Sequence, residues 1–154
     1  MDTDPDQVRE WLDQDLVEGV GRVSDEAAEF NFVIRVSGLF VCVTKWQQGG
    51  PLIIGQEIEF DDEIQARIRG LSDVEASELI ARIREALMET PLIYGFRDEN
   101  GANIAFRDVH SILLEYRLYS AEANQQSLMQ GLMDIWKSLR YLDDIVSLME
   151  SVEK

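Results

Sequence analysis

Three apolar stretches joined by turns too short for a crossover constrain this chain most. Phe30, Phe32, Ile34 and Val36 alternate with Asn31, Val33 and Arg35, the period of two that a strand with one dry face requires. Ser37-Gly38 then turns the chain into Leu39-Phe40-Val41-Cys42-Val43-Thr44-Lys45-Trp46, a nearly continuous apolar, β-branched run that suits a central strand. Gln47-Gln48-Gly49-Gly50-Pro51 turns it again into Leu52 to Phe60, where Ile54, Ile58 and Phe60 keep step and Gly55 weakens the strand. Parallel neighbours need a connection of a dozen residues or more, so these segments predict an antiparallel meander.

Around the meander the period changes to that of helices. Asp4-Pro5 supplies a cap and a proline at the first helical position, and Val8, Trp11, Leu12 and Leu16 follow at helical spacing. Asp61-Asp62-Glu63 opens a second helical region, and Ser72-Asp73-Val74-Glu75 reads as a capping box before Leu79, Ile80, Ile83, Ala86 and Leu87. Ser120 offers a cap for a long last helix. There Leu128, Leu132, Ile135, Leu139, Leu142, Val146 and Met149 are spaced 4-3-4-3-4-3, as in a coiled-coil seam. The expected architecture is a single α+β domain over 1–154, in the order α-βββ-α-ββ-α, with helices packed on an antiparallel sheet. Its elements are a helix at 4–19, strands at 29–36, 39–46 and 52–60, helices at 62–69 and 73–89, strands at 92–97 and 111–119, and a helix at 121–150.

Charge narrows the function classes. Thirty acidic residues face fourteen basic ones, a formal charge of -16, and only Lys45, Lys137 and Lys154 are lysines. Nucleic acids and anionic membranes bind basic surfaces, so neither is the expected partner. A carboxylate-rich, lysine-poor surface suits a high-salt cytosol, where the Debye length at about 1 M is near 3 Å and self-repulsion is screened. The melting temperature is therefore expected to rise between about 0.1 M and about 2 M KCl. A flat or falling profile would remove the halophilic reading and leave an ordinary acidic interaction protein.

The acids are interleaved with a 45% hydrophobic content, enough for a core without metal or disulfide at this length. The lone Cys42 reads as a reduced, buried thiol. No apolar stretch reaches the roughly 18–20 residues that span a bilayer, and the acidic start is unlike a signal peptide, so the expected location is cytoplasmic.

Reactive constellations are sparse. His110 is the only histidine, and no local motif joins it to Cys42 or to a serine nucleophile. Asp61, Asp62 and Glu63 lack calcium-loop spacing, and acids are so abundant that the Asp143-Asp144 pair is uninformative. Gly49-Gly50-Pro51 lacks the Lys and Ser or Thr of a phosphate-binding loop. No cofactor, metal or catalytic residue is expected.

The order of elements, from Val8-Arg9-Glu10-Trp11-Leu12 through Phe30-Asn31-Phe32-Val33-Ile34 to the terminal helix, resembles the type III secretion chaperone-like fold, including YbjN-like and related uncharacterised archaeal families. That resemblance implies a binding protein without an active site, and the secretion chaperones it is similar to are acidic homodimers that hold a partly unfolded client. The leading expectation is thus a non-enzymatic interaction module, homodimeric, binding a protein or peptide client through apolar sheet surface or a sheet edge. Phe40, Cys42 and Trp46 are the candidate partner-binding residues, though the same residues suit an ordinary core. Trp136, Leu139 and Tyr141 are the candidate dimer contact, on a stripe that also suits burial against the sheet. The rival expectation is a small-ligand or enzymatic cleft between the sheet and the first helix, marked by His110, Tyr94 or Arg97 converging on a carboxylate.

Overall fold

Asp4 begins the computed structural model as it begins the first sequence pattern: its carboxylate accepts from the Gln7 amide at 2.8 Å and starts α1 (Pro5–Trp11). The structure describes residues 4–12, 15–23, 26–88 and 92–152, with the side chains of 146 and 148–152 outside that description. The strands are β1 (Gly19–Arg22), β2 (Phe30–Val36), β3 (Leu39–Lys45), β4 (Leu52–Glu59), β5 (Ile93–Arg97) and β6 (Ser111–Leu118). The remaining helices are α2 (Asp62–Gly70), α3 (Asp73–Met88) and α4 (Gln125–Val152), with single 3-10 turns at Phe106–Asp108 and Ser120–Glu122. The fold is α+β, with one six-stranded antiparallel sheet in the order β1-β2-β3-β4-β6-β5.

The meander forms as the alternation requires. Phe32 lies opposite Val43 and Ile34 opposite Val41, and Val43 in turn lies opposite Ile54. These five side chains are at most 1% exposed. The hairpin between β2 and β3 closes through Ser37 and Gly38, at φ 46° and 79°, the two positive values that let a two-residue turn follow the strand twist.

Two boundaries differ from expectation by more than two residues. The helix expected over 4–19 stops at Trp11, where the Leu12 amide bonds back to the Arg9 carbonyl; residues 13 and 14 lie outside the described residues. Gly19–Arg22 instead forms β1, paired antiparallel with β2 from Gly19↔Arg35 to Arg22↔Phe32. Glycine costs roughly 0.5–1 kcal/mol in a helix interior, whereas an edge strand needs only backbone amides and carbonyls, which Gly19 and Gly21 still have. At the other end, Ser120 belongs to a 3-10 turn and its buried hydroxyl has no hydrogen-bond partner. Asn124 caps α4: its Oδ1 accepts from the Ser127 amide at 2.8 Å while the Ser127 hydroxyl accepts from the Asn124 amide at 2.9 Å. The helix expected over 73–89 is described to Met88, residue 89 lying outside the described residues.

The chain forms two compact units, residues 1–56 with 115–136, and residues 57–114 with 137–154; β4, β6 and α4 give residues to both. The first unit buries Val8, the inward residues of β2 to β4, and Leu128, Leu132 and Ile135 of α4. In the second, Ile64, Ile68, Ile83 and Leu87 of the helices are buried with Phe96, Phe106, Ile112 and Leu114, and the Phe96 and Phe106 rings meet edge to face at 5.1 Å. The seam of α4 from Leu128 to Leu142 is core in the protomer, each of its five leucine and isoleucine side chains being at most 5% exposed.

Candidate functional site

In an antiparallel pair, residues opposite one another share a face. The register therefore places Asn31, Val33 and Arg35 of β2 on the outer face with Thr44, Cys42 and Phe40 of β3, and adds Ile53 and Gly55 of β4. Phe40 is 53% exposed on this face. Trp46, one residue past β3 and on the same alternation, is 48% exposed. Cys42 between them is half-buried, and burial pushes its thiol above the ordinary range, so it is a weak nucleophile. The Thr44 hydroxyl, deeper still, donates to Asn31 Oδ1 at 3.0 Å.

The outer face of this apolar run is thus covered in its middle and open at its two ends. Val41 and Val43 are fully buried, while Phe40 and Trp46 expose aromatic surface at opposite ends of β3, about 20 Å apart at the usual rise of a strand. Arg35, the one charged side chain among these outer positions, pairs with Glu18 at 3.1 Å. Both partners are substantially exposed, so this pair adds little stability.

The α4 candidates part company. Leu139 is 5% exposed and packs inside the protomer, which corrects its expected place in a surface contact. Trp136 is half-buried, with an indole N–H that is buried and has no hydrogen-bond partner. Tyr141 is 37% exposed, and its hydroxyl donates to the Arg82 carbonyl at 3.4 Å.

The residues of the rival cleft, His110, Tyr94 and Arg97, all belong to the second unit, whereas α1 belongs to the first. His110 is held by polar partners of its own unit. Its amide donates to the Arg97 carbonyl, its carbonyl accepts from the Phe60 amide, and the Gln65 side-chain amide lies 3.3 Å from its Nδ1. The same Gln65 nitrogen donates to the Phe60 carbonyl at 2.7 Å, so the arrangement ties the end of β4 to α2 and to the start of β6. Next to it, the Ser111 hydroxyl, 1% exposed, donates to Glu57 Oε1 at 2.6 Å. These bonds satisfy buried polar groups, as folding demands of any such segment.

Acids near the α2 and α3 starts are likewise occupied. Asp61 Oδ1 accepts from the Ile64 amide and caps α2, and Glu63 pairs with Arg67 at 2.8 Å. Ser72 and Glu75 exchange side-chain to backbone bonds in the capping box, and the Ser72 hydroxyl and amide hold the Glu75 carboxyl below its ordinary value. Among the described residues no three His, Cys, Asp or Glu side chains are grouped as metal ligands, and no helix is long and apolar enough to cross a membrane.

An α+β sheet protein of this topology has been seen before. The chain belongs to the family described as Uncharacterized conserved protein (DUF2299), whose pattern matches residues 4–146. It is similar in fold to the crystal structure of an uncharacterized protein from Methanothermobacter thermautotrophicus, with a TM-score of 0.73 at 16% identity over 92% of this chain and 95% of that one. No curated protein matches it.

Proposed function

We propose that the chain is a non-enzymatic, chaperone-like protein-interaction module that works in a salt-rich cytosol and contacts its client through the outer face of β3. One observation carries this reading: in a protein of formal charge -16, two aromatic side chains on one strand and its continuation stay about half exposed. Solvent-exposed aromatics lose the free energy that burial returns, about 25 cal/mol per Å² of apolar surface, so their place at the surface suits a contact completed by another protein. The Trp46 end of the face lies beyond the paired part of β3, where an extended client segment can reach the indole without displacing a strand.

The test is comparative capture from the native host in high-salt buffer, followed by mass spectrometry. Trp46→Ala is expected to lose proteins that the parent and Val74→Ala both retain, Val74 being a 68% exposed apolar control elsewhere. Identical capture by all three proteins counts against a client site at Trp46.

A further inference from the structure

Of the four asparagines in this chain one, Asn100, is followed by glycine; Asn31, Asn103 and Asn124 precede Phe32, Ile104 and Gln125. The amide nitrogen that follows an asparagine can attack the side-chain carbonyl carbon of that asparagine, and a glycine, with no Cβ to obstruct the approach, favours the reaction. Asn100 and Gly101 are both exposed, Gly101 has φ 80°, and a Cβ built on it meets nothing within 4 Å. The turn after β5 nevertheless holds this pair in place. The Gly101 amide donates to the Asp98 carbonyl at 3.1 Å, and Asp98 Oδ1 accepts from the amides of Asn100 at 2.9 Å and Ala102 at 3.0 Å.

We propose that Asn100 is a site of spontaneous modification through a cyclic imide, and that Asp98 is the latch that slows it while the chain is folded. In the reaction the Gly101 nitrogen gives up its proton and bonds to Asn100 Cγ, and the side-chain nitrogen of Asn100 takes up a proton and leaves as ammonia. Water then opens the ring at one of its two carbonyls, leaving aspartate, or isoaspartate with the main chain rerouted through the side chain. An amide that donates to the Asp98 carbonyl cannot lose its proton and turn onto Asn100 Cγ until the turn opens, so the rate follows the open fraction. Asp98 is a positioning residue: one carboxylate oxygen holds two amides, and a charged acceptor binds an amide more strongly than a neutral one. Position gives the change its consequence. β5 is the last strand of the sheet, and the chain returning past Gly101 covers its outer edge, with Asn103 bridged to Arg97 and the Ile104 amide donating to the Phe96 carbonyl at 3.0 Å. An isoaspartate at position 100 adds a carbon to the main chain inside that hairpin and loosens the cover of an edge that another strand could otherwise join.

The test ages the full chain at one pH and temperature, folded and in denaturing urea, and follows the amide-to-acid mass gain by mass spectrometry. Trypsin cuts after Arg97 and Arg107, so Asn100 and Asn103 are read on one peptide, residues 98–107. In urea Asn100 is expected to convert while Asn103, ahead of the β-branched Ile104, stays intact. In the folded parent the rate at Asn100 is expected to be at least about tenfold lower, the factor that about 1.4 kcal/mol of turn closure supplies. Asp98→Ala, shown to be folded by circular dichroism, is expected to convert at least about fivefold faster than the folded parent, and Asp98→Asn, which keeps an accepting oxygen, to stay near the parent. Retention of Asn100 in urea, equal rates in the folded and unfolded parent, or a folded Asp98→Ala rate within about twofold of the parent's overturns the proposal. So does a folded Asp98→Asn protein that converts as fast as the alanine variant.

Discussion

Gly131→Leu is expected to lower the unfolding free energy by about 3 kcal/mol, the upper part of the usual range for an overpacked core. Gly131 lies in α4 and is buried against the sheet of the first unit: a Cβ placed there meets Ile54 Cδ1 at 2.7 Å and the Tyr116 ring at 2.8 Å. The tip of Ile54 can rotate away. The ring of Tyr116 is a larger obstacle, so room for four carbons comes only by moving the helix from the strands. Gly131→Ala sets two effects against each other, because alanine favours the helix by about 1 kcal/mol over glycine while a contact that short costs about 1–3 kcal/mol. A net loss near 1 kcal/mol is expected for alanine, well short of the leucine variant. Urea unfolding at constant, high KCl measures both without changing the screening of the acidic surface. A Gly131→Leu protein within about 0.5 kcal/mol of the parent, the range of an innocuous surface change, would show that α4 does not approach β4 and β6 so closely.

That close approach was not legible in the sequence, where Gly131 is one glycine inside a long apolar helix pattern. The seam around it was. Leu128, Leu132, Ile135, Leu139 and Leu142 recur at heptad spacing and are all buried, because a periodic stripe is a property of the helix alone. The meander was legible for a similar reason, since β2 alternates and its partners are fixed by turns of a few residues. The edge strand β1 was hidden: Gly19-Val20-Gly21-Arg22 has no apolar period, and its pairing comes from backbone groups that any sequence carries. Trp136 and Tyr141 stood on one broad stripe with Leu139, but only packing from other elements separates a buried leucine from a tyrosine 37% exposed.

The candidate site was half legible. Phe40, Cys42 and Trp46 stood out as an apolar run, yet a run with apolar residues at every position does not tell which parity faces inward. Burial of Val41 and Val43 settles the parity and leaves Phe40 outside. A second signal lay in the sequence all along, in the absence of Asp and Glu from Phe30 to Gln56. Average composition conceals it, because the net charge of -16 is a property of the whole chain and this gap is local.

Phe32→Ala is expected to cost about 3–5 kcal/mol, the usual loss on truncating a buried aromatic, and thus a large share of the about 5–15 kcal/mol that holds a domain folded. Phe32 is 1% exposed on β2, opposite Val43, with the Phe30 ring 5.6 Å away at a tilted angle. The Arg9 guanidinium of α1 lies 5.5 Å from its ring centroid, so the same ring gives the short first helix a cation-π contact. A helix of seven residues is too short to be stable alone, and its attachment depends on Val8, buried completely, and on this contact. A double-mutant cycle of Phe32→Leu with Arg9→Met separates the two contributions. Leucine keeps most of the apolar volume and removes the ring, and methionine keeps the stem and removes the charge. A coupling of about 0.5–1 kcal/mol is expected from the cycle, the usual worth of such a contact at an accessible site. Additive losses would reduce Arg9 to an ordinary surface residue, and a Phe32→Ala cost under about 1 kcal/mol would remove Phe32 from the packed centre of the first unit.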